Sequence, residues 1–296
     1  MQRFIQSDYQ TPPNVAPNFE LVVLEDGGKL NHYWRNNSST PTTWVGSTAT
    51  ITSNATGAGS LIESDDLNFQ VVVLEGNNLN HYWRDNGNPK RPWIGPTATI
   101  SSKATGPGAI IQSKGPQGTP INFEGLAPLS RFPHWVQVVV PEVGDPSRGN
   151  NLNQYSRDKD TLKWTGPTAT ITQYAQGPGS LILSYLGGSK SNFEVIVPET
   201  KYAGGQPPWN FSHYWLDTSV PGNPWNGPTT PTITGNATGP GSLIQSRFGT
   251  PGNFEVVVLE GNNLNHYYRS NQKQGAPWTG PIATICSDAV NTWPPT

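Results

Sequence analysis

Five glutamates close five near-identical apolar segments, at Glu25, Glu75, Glu142, Glu199 and Glu260, and a second acidic or amide position recurs five residues earlier as Glu20, Gln70, Gln137, Glu194 and Glu255. Carboxylates could act as a general acid and a base or nucleophile on a glycosidic bond, but that chemistry needs one small set brought together once. A carboxylate repeated in every segment cannot meet all its copies at one point. The change to glutamine at two of the earlier positions keeps hydrogen bonding and discards proton transfer. A histidine recurs at His32, His81, His213 and His266, with Gln154 in the remaining copy. Glutamine replaces a neutral imidazole as a hydrogen-bonding partner but is a poor metal ligand. No metal or other cofactor is expected. These polar groups serve either as structural hydrogen bonds or as contacts to a polar ligand.

Beside each histidine stands an aromatic pair, Tyr33-Trp34, Tyr82-Trp83, Tyr214-Trp215 and Tyr267-Tyr268, and Arg35, Arg84, Arg157 and Arg269 end most copies. Adjacent strand residues point to opposite faces, so one ring of each pair can fill a core. The other can offer the apolar plate with a polar tip that suits the C–H face of a sugar ring. Arginine beside such a plate and an acid forms a hydroxyl clamp. The ligand-contact candidates are therefore Glu25, His32, Trp34 and Arg35; Glu75, His81, Trp83 and Arg84; and Glu260, His266, Tyr268 and Arg269. The third and fourth copies, with Ser156 and Leu216 in place of an aromatic and an arginine, are expected to bind weakly or not at all.

The elements that must position these residues are short strands. Four segment types recur in one order: FIQS, SLIES, AIIQS, SLILS and SLIQS first; NFELVVLE-like segments second; LNHYWR-like segments third; and a fourth type opening at Trp44, Trp93, Trp164, Trp225 and Trp278, each followed two residues later by Gly. They are rich in β-branched and aromatic residues and bounded by Gly, Pro, Asn or Asp, with no sustained helical period. Gly76-Asn77-Asn78 and Gly261-Asn262-Asn263 are expected as tight hairpin turns. The tryptophans that open the fourth segments are spaced 49 to 71 residues apart. Four strands per copy at that spacing predict an all-β chain, a five-bladed β-propeller of four-stranded antiparallel blades. One domain of five repeats is expected, at about 1–53, 54–103, 104–174, 175–235 and 236–296. Insertions fall near 125–133, 143–150 and 200–208. The segment at 3–7 would complete the ring.

Bulk composition agrees. Charged residues make up 13% of the 296 residues and the net charge is −2, so no basic face for nucleic acid or an anionic membrane is expected. The single cysteine, Cys286, excludes an intrachain disulfide and is expected in the core. Nothing near Met1 reads as a signal peptide and no apolar run is long enough to span a membrane, so a cytoplasmic location or release by a non-classical route is expected.

The motif order resembles the β-propeller lectins. It is closest to the seven-bladed Photorhabdus-type lectins, on Phe254-Glu255-Val256, Gly261-Asn262-Asn263, Leu264-Asn265-His266 and Trp278 with their equivalents. It is similar more loosely to the six-bladed fungal fucose-binding lectins and to the five-bladed tachylectins. The resemblance implies a multivalent lectin without catalysis, with glycans or glycoconjugates as partners and pockets between or within blades. A protein-interaction scaffold is the alternative, and a five-bladed glycosidase a third.

Overall fold

The computed structural model describes residues 4–7, 18–37, 43–64, 67–112, 136–146, 148–158, 161–186, 191–200, 205–218, 222, 224–273 and 275–289. The expected insertion at 125–133 lies outside them. Among the described residues the regular structure is entirely β. The chain divides into two compact units, Met1–Gln112 and Ser113–Thr296.

In the first unit β1 (Phe4–Ser7), β2 (Asn18–Glu25), β3 (Lys29–Arg35) and β4 (Trp44–Thr52) form one four-stranded antiparallel sheet in chain order. A second such sheet holds β5 (Ser60–Glu63), β6 (Phe69–Glu75), β7 (Asn78–Arg84) and β8 (Trp93–Ser101). After it, β9 (Ala109–Gln112) lies against β5, where Ile110 N donates to Ser60 Oγ at 3.3 Å. The second unit has antiparallel β10 (Val136–Glu142), β11 (Asn150–Arg157) and β12 (Trp164–Ala175). It continues with β13 (Ser180–Tyr185), β14 (Ser191–Glu199), β15 (Trp209–Asp217) and β16 (Thr234–Ala237). The ladder pair of Ala175 with Glu199 joins these two groups, flanked by backbone bonds from Gln176 to Pro198 and from Thr200 to Tyr174. A further four-stranded sheet holds β17 (Gly241–Gln245), β18 (Phe254–Glu260), β19 (Asn263–Arg269) and β20 (Thr279–Cys286). Four-stranded antiparallel sheets built by consecutive strands are the architecture of a β-propeller.

Neighbouring sheets stack through apolar faces. Val22, Leu30 and Ile51 of the first sheet, with Ala55 of the connection that follows it, meet Leu61, Phe69, Val71, Val73 and Tyr82 of the second. The same layers recur where Ile196, Phe211, Ile233 and Ala237 meet Leu243, Phe254, Val256, Val258 and Tyr267. In β6 and β18 the Phe-x-Val-x-Val positions supply one such face because alternate strand residues share it. The β6–β7 and β18–β19 hairpins turn on Gly76-Asn77 and Gly261-Asn262, with φ of +60° at both glycines. A left-handed first loop position of this kind favours glycine.

The Trp-x-Gly motif has a steric cause that its sequence alone does not disclose. The ring of Tyr82 packs against Gly95, and a Cβ there would stand 2.5 Å from Tyr82 Cδ1. Tyr155 and Gly166, Tyr214 and Gly227, and Tyr267 and Gly280 repeat the contact. Gly95→Ala, which also has to adopt a φ of +151°, is expected to cost about 3 kcal/mol or more. Urea unfolding of the variant checks this.

Two expectations are corrected. The fourth strand of the fourth repeat does not begin at Trp225: β16 spans only Thr234–Ala237, and Trp225 is followed by a lone bridge between Trp215 and Asn226. Ile233 stands eight residues after Trp225, where Ile100 stands seven after Trp93, and Pro228 and Pro231 fall in the stretch between. Proline gives no N–H to a ladder, and the extra residue breaks its register. Cys286 is exposed, not in the core. It ends β20, a strand exposed along its whole length, whereas Thr52 and Thr234 at the same repeat position are buried and bond the glutamate of the following sheet.

Candidate functional site

Strand alternation sorts the third-strand motif onto two faces. In β3, Leu30, His32 and Trp34 share one face, and Asn31, Tyr33 and Arg35 the other. The register puts Val22 opposite His32 and Glu20 opposite Trp34, so the earlier glutamate belongs to the histidine–tryptophan face. That face is turned toward the next sheet, whose own tyrosine–arginine face looks back at it. An acid, a histidine and a tryptophan from one repeat therefore meet an arginine from the following one.

The contacts follow this arrangement. His32 Nε2 donates to Glu20 Oε2 at 2.8 Å, and Ser7 Oγ donates to Glu20 Oε1 at 3.0 Å. A carboxylate only accepts, so the imidazole proton is on Nε2 and Nδ1 accepts from Arg84 Nη1 at 3.4 Å. Arg84 itself stacks 4.4 Å above the Phe69 ring, and Trp93 meets His32 edge-on at 5.7 Å. The same relay stands in the second unit. His213 donates to Glu194 Oε2 at 2.7 Å, and Arg269 Nη1 reaches His213 Nδ1 at 3.3 Å. Arg269 lies 4.7 Å over Phe254 and 5.2 Å over Trp278. Ser184 and Asn192 also donate to Glu194, at 2.8 and 3.1 Å.

Each relay floors a pocket. The first, about 240 Å³, is lined by Asn18, Glu20, Trp34, Thr48, Ala49, Arg84, Lys90 and Arg91. The second, about 430 Å³, places Asn192, Glu194, Trp215, Thr229 and Arg269 at the equivalent positions and adds Asp217, Lys273 and Trp278 among others. Of the residues expected from the sequence, Trp34, Arg84 and Arg269 line a pocket, and His32 lies directly beneath one. Trp83, Tyr268, His81, His266 and Arg35 are not drawn into either. His81 bonds Gln70 at 3.2 Å, His266 bonds Glu255 at 2.9 Å, and Arg35 stacks on Phe19 at 4.5 Å.

Glu25, Glu75 and Glu260 occupy the other face and the far end of their strands, and line neither pocket. Tyr33 donates to Glu25. Glu75 accepts from Tyr82 at 2.9 Å, from Asn80, and from Thr52 of the preceding sheet. Glu260 accepts from Tyr267 at 2.9 Å, from Asn265, and from Thr234. Glu75 and Glu260 thereby tie one sheet to the preceding one, whereas the contact of Glu25 is to its own sheet. Burial pushes the Tyr82 and Tyr267 hydroxyls up to about 12, with their glutamates adding to the rise, so both remain donors.

The third repeat shows what the relay requires. Gln154 Nε2 donates to Gln137 Oε1 at 2.8 Å, and Gln154 Oε1 accepts from Trp225 Nε1 at 2.8 Å. The amide reproduces the Nε2–H histidine: one donor toward the second strand, one acceptor toward the next sheet. Leu216 occupies the arginine position there, and the indole N–H supplies the donor instead.

Burial holds His32 and His213 below the usual histidine range; the glutamate hydrogen bond opposes this, and Arg84 or Arg269 adds to it. The folded state keeps them neutral, so the unfolded chain binds protons preferentially below about pH 6.5. Stability present at neutral pH is then lost as pH falls, by up to about 1.4 kcal/mol per pH unit for each histidine. Melting curves from pH 8 to 5 check this, with H32Q/H213Q expected to flatten the acid limb.

No protein-family model matches the chain, and no curated protein matches it in sequence. Among solved structures it is similar to the BP39L lectin from Burkholderia pseudomallei, at 18% identity over 95% of this chain and 69% of that one, with a TM-score of 0.61. Lower-scoring likenesses include the fucose-specific lectin from Aleuria aurantia (15% identity, 99% and 98% coverage, TM-score 0.45). Another is the GH93 α-L-arabinofuranosidase of Fusarium graminearum (12% identity, 97% and 88% coverage, TM-score 0.47). The likeness to BP39L establishes the fold, a β-propeller.

Proposed function

We propose that this chain is a non-catalytic, multivalent carbohydrate-binding protein, a lectin on a five-bladed propeller with its sugar sites between successive blades. The observation that carries the reading is the recurrence of one polar–aromatic set, Glu20–Trp34–Thr48–Arg84 and Glu194–Trp215–Thr229–Arg269, at two pockets. A carboxylate acceptor, a guanidinium donor and an indole plate complement vicinal hydroxyls and the apolar face of a pyranose. Weak individual sites on one scaffold gain avidity for a glycan surface.

Catalysis fits the set less well. Glu20 and Glu194 accept two and three hydrogen bonds within the protein, which holds them as acceptors. Glycoside hydrolysis needs two carboxylates across the scissile bond, and among the described residues the first pocket is lined by one. In the second, Asp217 accompanies Glu194, so glycosidase action is the reading to test beside lectin binding. Calorimetry with simple sugars is expected to give binding in the micromolar-to-millimolar range, lost in part with Trp34→Ala and in part with Trp215→Ala. Aryl glycosides are expected to remain intact. Binding that neither substitution alters would remove these pockets from the function. A blank glycan array would favour a protein-interaction scaffold, and steady release of the aryl group would favour a hydrolase.

A further inference from the structure

The last sheet, β17–β20, turns to solvent a face whose equivalents in earlier repeats are buried. Ile285 is 59% exposed, whereas Ile51, Ile100, Ile171 and Ile233 at the same repeat position are buried. Ile244 is 57% exposed, whereas Ile62 and Ile111 are buried. His266 is 28% exposed, whereas His32 and His213 are fully buried.

This face is also more apolar than its equivalents. Ile282, 50% exposed, stands where Thr48, Thr97, Thr168 and Thr229 stand in the other repeats. Thr48 and Thr97 each donate to the carbonyl of their own histidine, at 3.0 and 3.2 Å. Isoleucine gives up that donor and turns a branched hydrocarbon outward. In the first sheet Thr48 borders His32 and Ile51 joins the core with Leu30, so Ile282 and Ile285 look the same way. An exposed apolar patch of this kind marks an interaction surface.

The first sheet presents the complementary face. Phe19, Leu21 and Val23 are only half-buried. Their equivalents, Phe69, Val71 and Val73 in the second sheet and Phe254, Val256 and Val258 in the last, are buried against a preceding sheet. Arg35 on the same face is held as Arg84 is. Its Nε donates to Asn37 Oδ1 at 2.8 Å and its guanidinium lies 4.5 Å over Phe19, as Arg84 uses Asn86 and Phe69. Arg84 and Arg269, so held, reach the histidine of the preceding sheet. His266 donates through Nε2 to Glu255, which leaves Nδ1 as the acceptor such an arginine meets. The two open faces therefore carry the two halves of one junction.

We propose that the open face of the last sheet receives the open first-sheet face of a second copy, joining chains head to tail. The contact continues the packing of the sheet junctions within the molecule. Leu264 and Ile285 of one copy meet Phe19, Leu21 and Val23 of the other, whose Arg35 is directed at His266. Because the two surfaces differ, copies add in series until the row closes or runs on. Every added copy brings its own pockets to the same glycan surface.

Sedimentation of the full chain tests this, with self-association expected to grow with concentration. I282D/I285D blocks one face and L21D/V23D the other. Each variant alone is expected to sediment as a monomer, its association weakened about a hundredfold or more by buried, unpaired charge. An equimolar mixture is expected to form a 1:1 dimer, since each variant keeps the face that the other lacks. That dimer also shows both variants to be folded. Where a variant melts well below the wild type, I282T replaces it; it restores the residue of the other repeats and is expected to weaken association about tenfold. A wild type that stays monomeric at every concentration overturns the proposal, because the chain then covers these faces with its own residues. Folded variants that associate as the wild type does, or that form no dimer when mixed, overturn it too. L21D/V23D dimerising by itself has the same consequence, since the last sheet would then pair with its like.

Discussion

Replacing Glu194 by alanine will lower the unfolding free energy by about 3–5 kcal/mol, the range for stripping one partner from a buried polar network. The carboxylate is 1% exposed and accepts from Ser184, Asn192 and His213. Alanine leaves the donors facing a void that no rearrangement of a β-ladder can fill. Glutamine at the same position is expected to be far milder, because Gln70 and Gln137 already occupy the equivalent sites and bond His81 and Gln154 there. Denaturant midpoints for E194A and E194Q check the contrast. Equal losses would show that the negative charge, and not the hydrogen-bond count, holds the relay together.

The second large effect concerns binding. Arg269→Ala will weaken the pocket floored by Glu194 by roughly 10- to 100-fold, the cost of a hydrogen bond from a charged donor. It will leave the pocket floored by Glu20 untouched, and Arg84→Ala will do the reverse. Calorimetry of both single variants and the double variant decides the matter. Each single change is expected to weaken one pocket, and the double change both. If Arg269→Ala left binding at Trp215 intact, the arginine would be a stacking element for Phe254 and Trp278 and nothing more.

The strands of this fold were legible in the sequence almost residue by residue. Asn18–Glu25 and the tryptophan starts at Trp44, Trp93 and Trp164 emerge where periodicity and turn residues place them. The site was legible only in its residue types. Alternation along β3 tells that Trp34 and Arg35 part company, but not that the partner of Trp34 is Arg84, because that depends on which sheet faces which. For the same reason Leu216 pointed to the wrong pocket. It removes an arginine from the surroundings of Gln154, while the pocket of its own repeat draws on Arg269. Glu25, Glu75 and Glu260 attracted attention by being invariant among the repeats. That invariance reflects the donors they satisfy, a tyrosine at each and a threonine of the preceding sheet at Glu75 and Glu260, whereas Glu20 and Glu194 line the pockets although their repeat position tolerates glutamine. Lys90 and Arg91 line the first pocket from the β7–β8 connection, where the repeat motifs give no register to place them.

The division of each pocket between two repeats bears on how such a chain could have arisen. A solitary ancestral repeat would have held two unrelated half-sites, an acid–indole half on one face and an arginine half on the other. It could bind nothing until a second copy, fused or associated, stood beside it. Duplication would then have created ligand sites in proportion to the number of junctions. A later substitution at one junction could silence it and leave its neighbours working. Drift in this lineage would therefore be recorded junction by junction, and two copies of one repeat could diverge in ligand preference without either altering its own core.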